Sequence, residues 1–412
     1  MAERLADVVS RYGQRFDARV LDRGHGVASP LGAWLLLALC APLAADPGHA
    51  DHDAMAEALG MDPGDAAVAA GELLDTLPES VVAAVAAWHR PGTERPSYLE
   101  WAARLPARAE QGPLPPQAEA DAWADRHTLG MIRRFPGDLG DPDLLAVLAS
   151  ALATRAEWAQ AFTAVPSTRL DDPSPGAAPS PWSGHVREVL EAPPRHTRLI
   201  VRTPDAGLVG VHAARTTQGL QVVSVIAAPE VSRPAVQAAA YDVAAMLSNR
   251  RQAVDVVDVQ DLALGAGPAW TVVEASGSSR VSVVLPAWTA TSDHDLMAPG
   301  SELGLDVAGG LYAGQFEGPS RISARQVAYA AFSRTRFEAA AISGMALKAS
   351  ARRPVERPKL AQVRFDHPYA VVAVVDPNIP LGSNPEPPAR WRGIPVFSAW
   401  VTEPSEPSAL ED

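Results

Sequence analysis

From Phe337 the chain alternates between two sets of positions. Phe337, Ala339, Ala341, Ser343, Met345 and Leu347 are apolar or small, and Glu338, Ala340, Ile342, Gly344, Ala346 and Lys348 stand between them. Alternation at period two is the mark of a strand with one buried face. It leads straight into KASARRPVERPK, which is basic, broken by proline and unsuited to burial. A segment written both as a sheet strand and as an exposed loop points to a conformational mechanism.

Elsewhere the pattern predicts helices first and strands later. Residues 5–21 and 30–39 have helical apolar spacing, and Ser29-Pro30 opens the second helix as cap and first-turn proline. Residues 51–59, closed by Gly60, and 65–77 read as further helices. Residues 104–116 are proline-rich and polar and read as loop, and 119–134 as a helix that breaks at Gly130. Residues 144–154 form a continuous apolar run suited to a strand buried on both faces. The stretch PSTRLDDPSPGAAPSPWSG, residues 166–184, is turn punctuation with an expected disordered tip. Short β-rich segments fill 197–228 and 269–286, with a short helix over 241–249. Residues 363–375 and 395–401, apolar runs bounded by turns and charge, are expected to pair in a buried sheet.

Composition narrows the setting. The 412 residues are 47% hydrophobic and 20% charged, ample for a large core. A net charge of -13 argues against nucleic acid or an anionic membrane as partner. The single cysteine, Cys40, lies in the apolar run WLLLALC and reads as a buried, inert thiol. The opening MAERLADVVSRYGQRF is amphipathic and lacks the apolar core of a signal peptide. The longest apolar run, residues 33–45, is too short for the roughly 20 residues of a membrane span and contains Pro42. A soluble, cytoplasmic monomer is the expectation.

Catalytic chemistry is thinly written. There is no phosphate loop, no GxSxG elbow and no His-Glu-x-x-His. The nearest thing to a metal cluster, His49, Asp51, His52 and Asp53, reads as a solvated loop running into a helix cap. Ten scattered histidines read as core or surface polar residues, and Ser343 and Lys348 lack the Ser-x-x-Lys spacing. No cofactor or metal is expected.

Ordered blocks along the chain resemble the serpin superfamily, and the chain reads as a bacterial serpin-like protein. RFDHPYAVVAVV from Arg364 and GIPVFSAWVTEP from Gly393 are similar to the serpin ending. FEAAA at 337–341 resembles the alanine-rich hinge of the serpin reactive-centre loop. ASALATRAEWAQAF resembles the stretch that carries a conserved-pattern Trp and Phe, here Trp158 and Phe162. WADRHTLGMI, Ser29-Pro30-Leu31 and VVLPAW resemble three more blocks, while residues 166–280 match poorly and suggest insertions.

The resemblance implies one α+β domain over 1–412. It would have three β-sheets with a large central antiparallel sheet, about eight or nine helices, and an exposed reactive-centre loop at about 334–362. The tail 405–412 is expected to be disordered. In serpins a protease cleaves the loop, and the freed hinge inserts as a new strand of the central sheet. Carried over, the hinge is Arg336, Phe337, Glu338, Ala339, Ala340 and Ala341, and scissile candidates are Lys348, Ser350, Arg352 and Arg353. The sheet-opening region is Ser29, Ser150, Trp158 and Gln326, with Gly32 in place of a helix-start serine. Basic residues in the loop suit the acidic specificity pocket of a trypsin-like or subtilisin-like serine protease. The hinge departs from the inhibitory pattern: Arg334, Thr335, Arg336 and Phe337 stand where acidic residues, Gly and Thr are usual. Arg336 removes glycine's freedom there. A non-inhibitory scaffold binding a protein or small ligand is the alternative reading, and recruitment of the fold for chemistry a third.

Overall fold

The computed structural model describes residues 2–22, 24–154, 156–248, 254–267, 269–297, 303–317, 321–337, 357–376 and 389–407. The first half of the chain gives α1 (Ala2–Val20), β1 (Gly26–Ala28), α2 (Pro30–Cys40), α3 (His52–Leu59), α4 (Pro63–Asp75), β2 (Val82–His89), α5 (Pro96–Ala102), β3 (Ala109–Pro113), α6 (Gln117–His127), β4 (Leu144–Ala153), β5 (Ala156–Glu157) and β6 (Thr163–Pro166). Then come β7 (Glu188–Glu191), β8 (Thr197–Thr203), β9 (Gly207–Arg215), β10 (Leu220–Ile226), α7 (Arg233–Leu247), β11 (Asp255–Val256), β12 (Gly265–Ala266), β13 (Trp270–Glu274) and β14 (Arg280–Leu285). The chain continues with β15 (Trp288–Asp295), α8 (Leu305–Ala313), β16 (Arg321–Phe332), β17 (Arg336–Phe337), β18 (Lys359–Arg364), β19 (Tyr369–Val375) and β20 (Pro395–Val401).

These strands make three sheets and a short ribbon. The expected large antiparallel sheet is seven-stranded, in the order β1-β20-β19-β10-β9-β8-β11. A six-stranded sheet runs β12-β13-β18-β14-β7-β6, a five-stranded one β15-β16-β4-β2-β3, and β17 pairs with β5. The five-stranded sheet is mixed: β16 and β4 run parallel, as do β2 and β3. With eight α-helices among the described residues, the class is α+β.

Helix α2 lies at the centre. All eleven of its residues are buried, as a helix apolar on every side must be. Its N-terminus is set by Ser29, whose hydroxyl accepts from Gly32 N at 3.1 Å, and by Pro30 in the first turn. The main core draws side chains from Leu5 to Val401. A second cluster, around Trp88, Trp123 and Phe135, covers the outer face of β2 and β4 beneath α6. Strand β4 is therefore buried on both faces, as its apolar run predicts. Trp123, Leu148, Trp158, Phe162 and Phe397 are all buried. Among the described residues, no helix is long and apolar enough to cross a membrane.

Several readings of the pattern are corrected. Residues 104–116 contain β3, a half-exposed edge strand whose Glu110, Gln111, Gly112 and Pro113 carry no apolar run; proline is tolerated there because an edge leaves its ladder position unpaired. Helix α6 ends at His127, where Leu129 and Gly130 take positive φ. Helix α7 begins at Arg233, eight residues before the expected Tyr241. Residues 363–375 are split at Asp366-His367-Pro368: β18 joins the six-stranded sheet, and only β19 pairs with β20. The 166–184 stretch is anchored, not loose. Leu170 and Trp182 are buried, and Asp172 accepts from Thr271 Oγ1 at 3.0 Å and lies 3.7 Å from the Arg364 guanidinium. Ser405, at the head of the tail, donates its N–H to Ala287 O at 2.8 Å, and Glu406 accepts from Arg187 N; residues 408–412 lie outside the described residues. Asp51 occupies the N-cap of α3 with no side-chain cap bond, and no metal-binding group is found among the described residues.

Candidate functional site

The candidate site is the seam between β4 and β16. At its lower end the two strands pair in parallel, from Arg321↔Leu144 to Arg325↔Ala149. Above that, β16 continues from Gln326 to Phe332 paired only with β15, and β4 continues from Ser150 to Ala153 paired only with β2. Two parallel strands thus separate half-way up and leave a slot with ladder positions on both walls. The two walls carry Ala328, Ala330 and Leu152 towards the main core and Val327, Tyr329 and Ala151 towards the second cluster. An apolar, small-residue strand is the chemistry such a slot accepts.

A polar clamp holds the middle of the seam. The Gln326 amide meets the Ser29 backbone twice: Ser29 N donates to Gln326 Oε1 and Gln326 Nε2 donates to Ser29 O, each at 2.8 Å. Ser29 Oγ in turn donates to Val396 O at 2.8 Å. A Cβ on Gly32 would lie 3.0 Å from Ser150 Oγ, 3.1 Å from Gln326 Nε2 and 3.2 Å from Ser29 Oγ, so a larger residue at 32 would have to displace the clamp. Ser29, Ser150 and Gln326 are brought together from three distant parts of the chain, all buried. Trp158 lies at the top of the slot, above these three.

At that top the chain leaving β16 crosses over to the residues that follow β4. Trp158 Nε1 donates to Ser333 O at 2.9 Å, Trp158 N to Thr335 O at 3.2 Å, and Phe162 N to Arg334 O at 3.0 Å. Arg336 and Phe337 then pair with Glu157 and Ala156. Phe332 is wedged between Trp158, Phe162 and Trp288, with ring centroids 4.8, 5.4 and 6.1 Å away. Behind Phe162 lie His196 and His212, with ring centroids 4.8 and 5.3 Å from it. Burial holds the His196 pKa down to about 4, with Arg198 adding to it against the bond to Gln160. His212 is held well below the usual range by burial first, then by His196 and Arg198.

The hinge backbone is thus placed at Arg336 and Phe337, while Glu338, Ala339, Ala340, Ala341, Lys348, Ser350, Arg352 and Arg353 lie outside the described residues. The loop's far boundary is shorter than read from sequence. Lys359 opens β18, and its Nζ donates to Gln260 O and Leu262 O at 2.7 and 2.6 Å. Phe332, His196 and His212 were not legible as site residues. The only signal was a histidine inside the apolar run GLVGVHAA.

Removing the clamp tests its strength. Gln326→Leu leaves the Ser29 N–H without its buried acceptor and removes a donor from the Ser29 carbonyl. The carbonyl keeps the Ala33 N–H at 3.2 Å, so one buried group is orphaned, and the urea midpoint should correspond to a loss of roughly 1–3 kcal/mol. A variant within about 0.5 kcal/mol of the parent, the scatter of ordinary surface changes, would show that the clamp does not hold the seam.

No family model matches the sequence, and no curated protein matches it either. Solved structures do. The thermophilic serpin tengpin in its native state aligns with TM-score 0.61 and 13% identity, over 97% of this chain and 94% of its own. Native protease nexin-1 with heparin aligns with TM-score 0.61 and 14% identity, over 98% of this chain and 100% of its own. Human thyroxine-binding globulin complexed with thyroxine aligns with TM-score 0.60 and 13% identity, over 98% of this chain and 99% of its own. At such identities the likeness speaks for architecture, and with near-complete coverage in both directions it does so along the whole length: this chain has the serpin fold.

Proposed function

We propose that this chain is an inhibitor of a serine protease, acting by cleavage of its exposed loop and insertion of the hinge into the five-stranded sheet. The observation that carries the reading is the slot. Strands β4 and β16 part above Arg325 and Ala149, directly below the hinge strand β17. The hinge sequence matches it, because Phe337, Ala339, Ala341, Ser343, Met345 and Leu347 put no charge on one face. A cut near Lys348, Ser350, Arg352 or Arg353 would free that strand, and the basic residues suit a trypsin-like or subtilisin-like enzyme.

A second reading is a binding scaffold. It is favoured by the hinge itself, where Arg334, Arg336 and Phe337 replace residues that ease entry into a packed sheet. Among the similar structures, one is a Manduca sexta serine protease inhibitor and another is a thyroxine-binding globulin in complex with thyroxine, so the fold serves both uses.

A panel of serine proteases run with the protein on denaturing gels separates the two. An inhibitor forms a covalent complex that survives denaturation. Replacing Ala339 and Ala341 with Arg should convert it to a plain substrate, because two charges would have to enter the sheet interior. Clean cleavage of the parent with no complex, across the whole panel, supports the scaffold reading instead.

A further inference from the structure

The buried pair His196–His212 plays no part in strand insertion as described, yet it lies directly beneath the top of the slot. His212, on β9, is 0% exposed, and His196, just before β8, is 7% exposed. His196 Nε2 is 2.8 Å from Gln160 O, and His196 Nδ1 is 3.0 Å from His212 Nε2. A carbonyl accepts only, so the proton of His196 sits on Nε2 and its Nδ1 is an acceptor. His212 Nε2 must then be the donor, leaving His212 Nδ1 as a buried acceptor with no hydrogen-bond partner among the described residues. The arrangement works only while both rings are neutral. A proton on His196 Nδ1 would face the N–H of His212, and one on His212 Nδ1 would be a donor enclosed by Phe162 and Phe332.

What lies over the pair is the segment that holds the hinge. Gln160 belongs to the turn between Trp158 and Phe162, and those two residues bind the carbonyls of Thr335 and Arg334. Charged residues on the elements around the pair are Glu157, Arg195, Arg198, Arg202, Arg215, bound to Asp376, and Arg334, with Arg321 and Arg325 at the far end of β16. Arg198 is the one whose charge bears on both rings, and it opposes their protonation.

We propose that His196 and His212 form an acid-operated release for the top of the slot, in which protonation of the pair frees the 158–162 turn and with it the residues leading into the hinge. The sign follows from the direction of the shifts. Both rings hold protons less tightly in the closed form than at their usual value of 6.5. The opened form therefore gains as pH falls from about 6.5 towards 4, and the closed form is secure above that window. The consequence for inhibition, faster hinge entry in acid, rests on the loop-insertion reading. The release itself is a property of the intact, uncleaved protein.

Amide hydrogen exchange at Trp158 and Phe162, corrected for the intrinsic pH dependence of exchange, tests it without any protease. Protection at these two amides should fall at least about tenfold between pH 7 and pH 4.5, because the opened form takes up protons there and the closed form does not. In the double variant His196→Gln, His212→Phe, protection should not change with acid. Protection in the wild type that stays constant from pH 7 to pH 4.5 overturns the proposal, as does a variant that opens in acid like the parent. If the variant does not fold, the wild-type comparison decides alone. A protein that inhibits no protease can still pass this test, and an inhibitor can fail it.

Discussion

Cleaving the loop between Lys348 and Arg353 should raise the thermal denaturation midpoint by on the order of 10–20 °C. The hinge face would enter between β4 and β16, adding ladder bonds to both walls while giving up the parallel pairs from Arg321↔Leu144 to Arg325↔Ala149. About ten net backbone bonds at roughly 0.5–1.5 kcal/mol each give on the order of 10 kcal/mol. Burying Phe337, Met345 and Leu347 adds roughly 1.5–3 kcal/mol apiece. A chain of 412 residues loses on the order of 0.9 kcal/mol of stability per degree near its midpoint, which converts the sum to the stated shift. Replacing Phe337 with Thr should speed the change, since a smaller residue enters the packed sheet first. Calorimetry of intact and cleaved protein is the measurement. A cleaved form that melts no higher than the intact one, with either residue at 337, removes strand insertion from this protein.

The second large effect belongs to Asp17. This carboxylate of α1 is buried, and no cation among the described residues is bonded to it: Tyr241 of α7 donates to Oδ2 at 2.8 Å and Ser398 of β20 to Oδ1 at 2.7 Å. The contact is close-fitting, since a Cβ on Gly13 would lie 2.6 Å from Tyr241 Oη. Burial pushes the Asp17 pKa up to about 7, against the pull of the two hydroxyls. The folded state therefore holds this proton more tightly than the unfolded one, whose carboxyl has the ordinary value of 3.8. The resulting stabilisation is complete below about pH 4 and lost as pH rises through 7, amounting to on the order of 4 kcal/mol. His196 and His212 slope the other way between about 4 and 6.5, so the parent's curve alone does not isolate the effect. The difference between Asp17→Asn and the parent does. The variant should gain on the parent from pH 4.5 to about pH 7 in urea midpoint and hold that gain to pH 8.5, and two parallel curves would remove Asp17 as the cause.

Where local pattern was strong, the fold could be read directly. The all-apolar run of residues 144–154 is the doubly buried β4, and Ser29-Pro30 opens α2 as the cap rule requires. Weak local pattern misled: β3 has no apolar alternation because it is an edge, and α7 starts early because its first turns carry Pro234 and Gln237 among apolar residues. The 166–184 stretch has the composition of a loose loop, and long-range contacts, among them those to Arg364 and Thr271 and the burial of Leu170 and Trp182, hold it in place.

Sequence by itself determined the period of each strong element, the caps that begin helices, and the dual character of the segment after Phe337. These depend on residues a few positions apart. No local pattern brings Ser29 to Gln326, 297 positions away, which only the family resemblance implied, and the tertiary structure alone decided that β4 and β16 lie parallel and part half-way. It alone divided residues 363–375 between two sheets, and set His196 against His212 beneath the hinge. The physical reason is that a strand's alternation states which face is buried but not which strand lies beside it. That choice is made by packing across long chain separations, where the burial of a whole face outweighs any local preference.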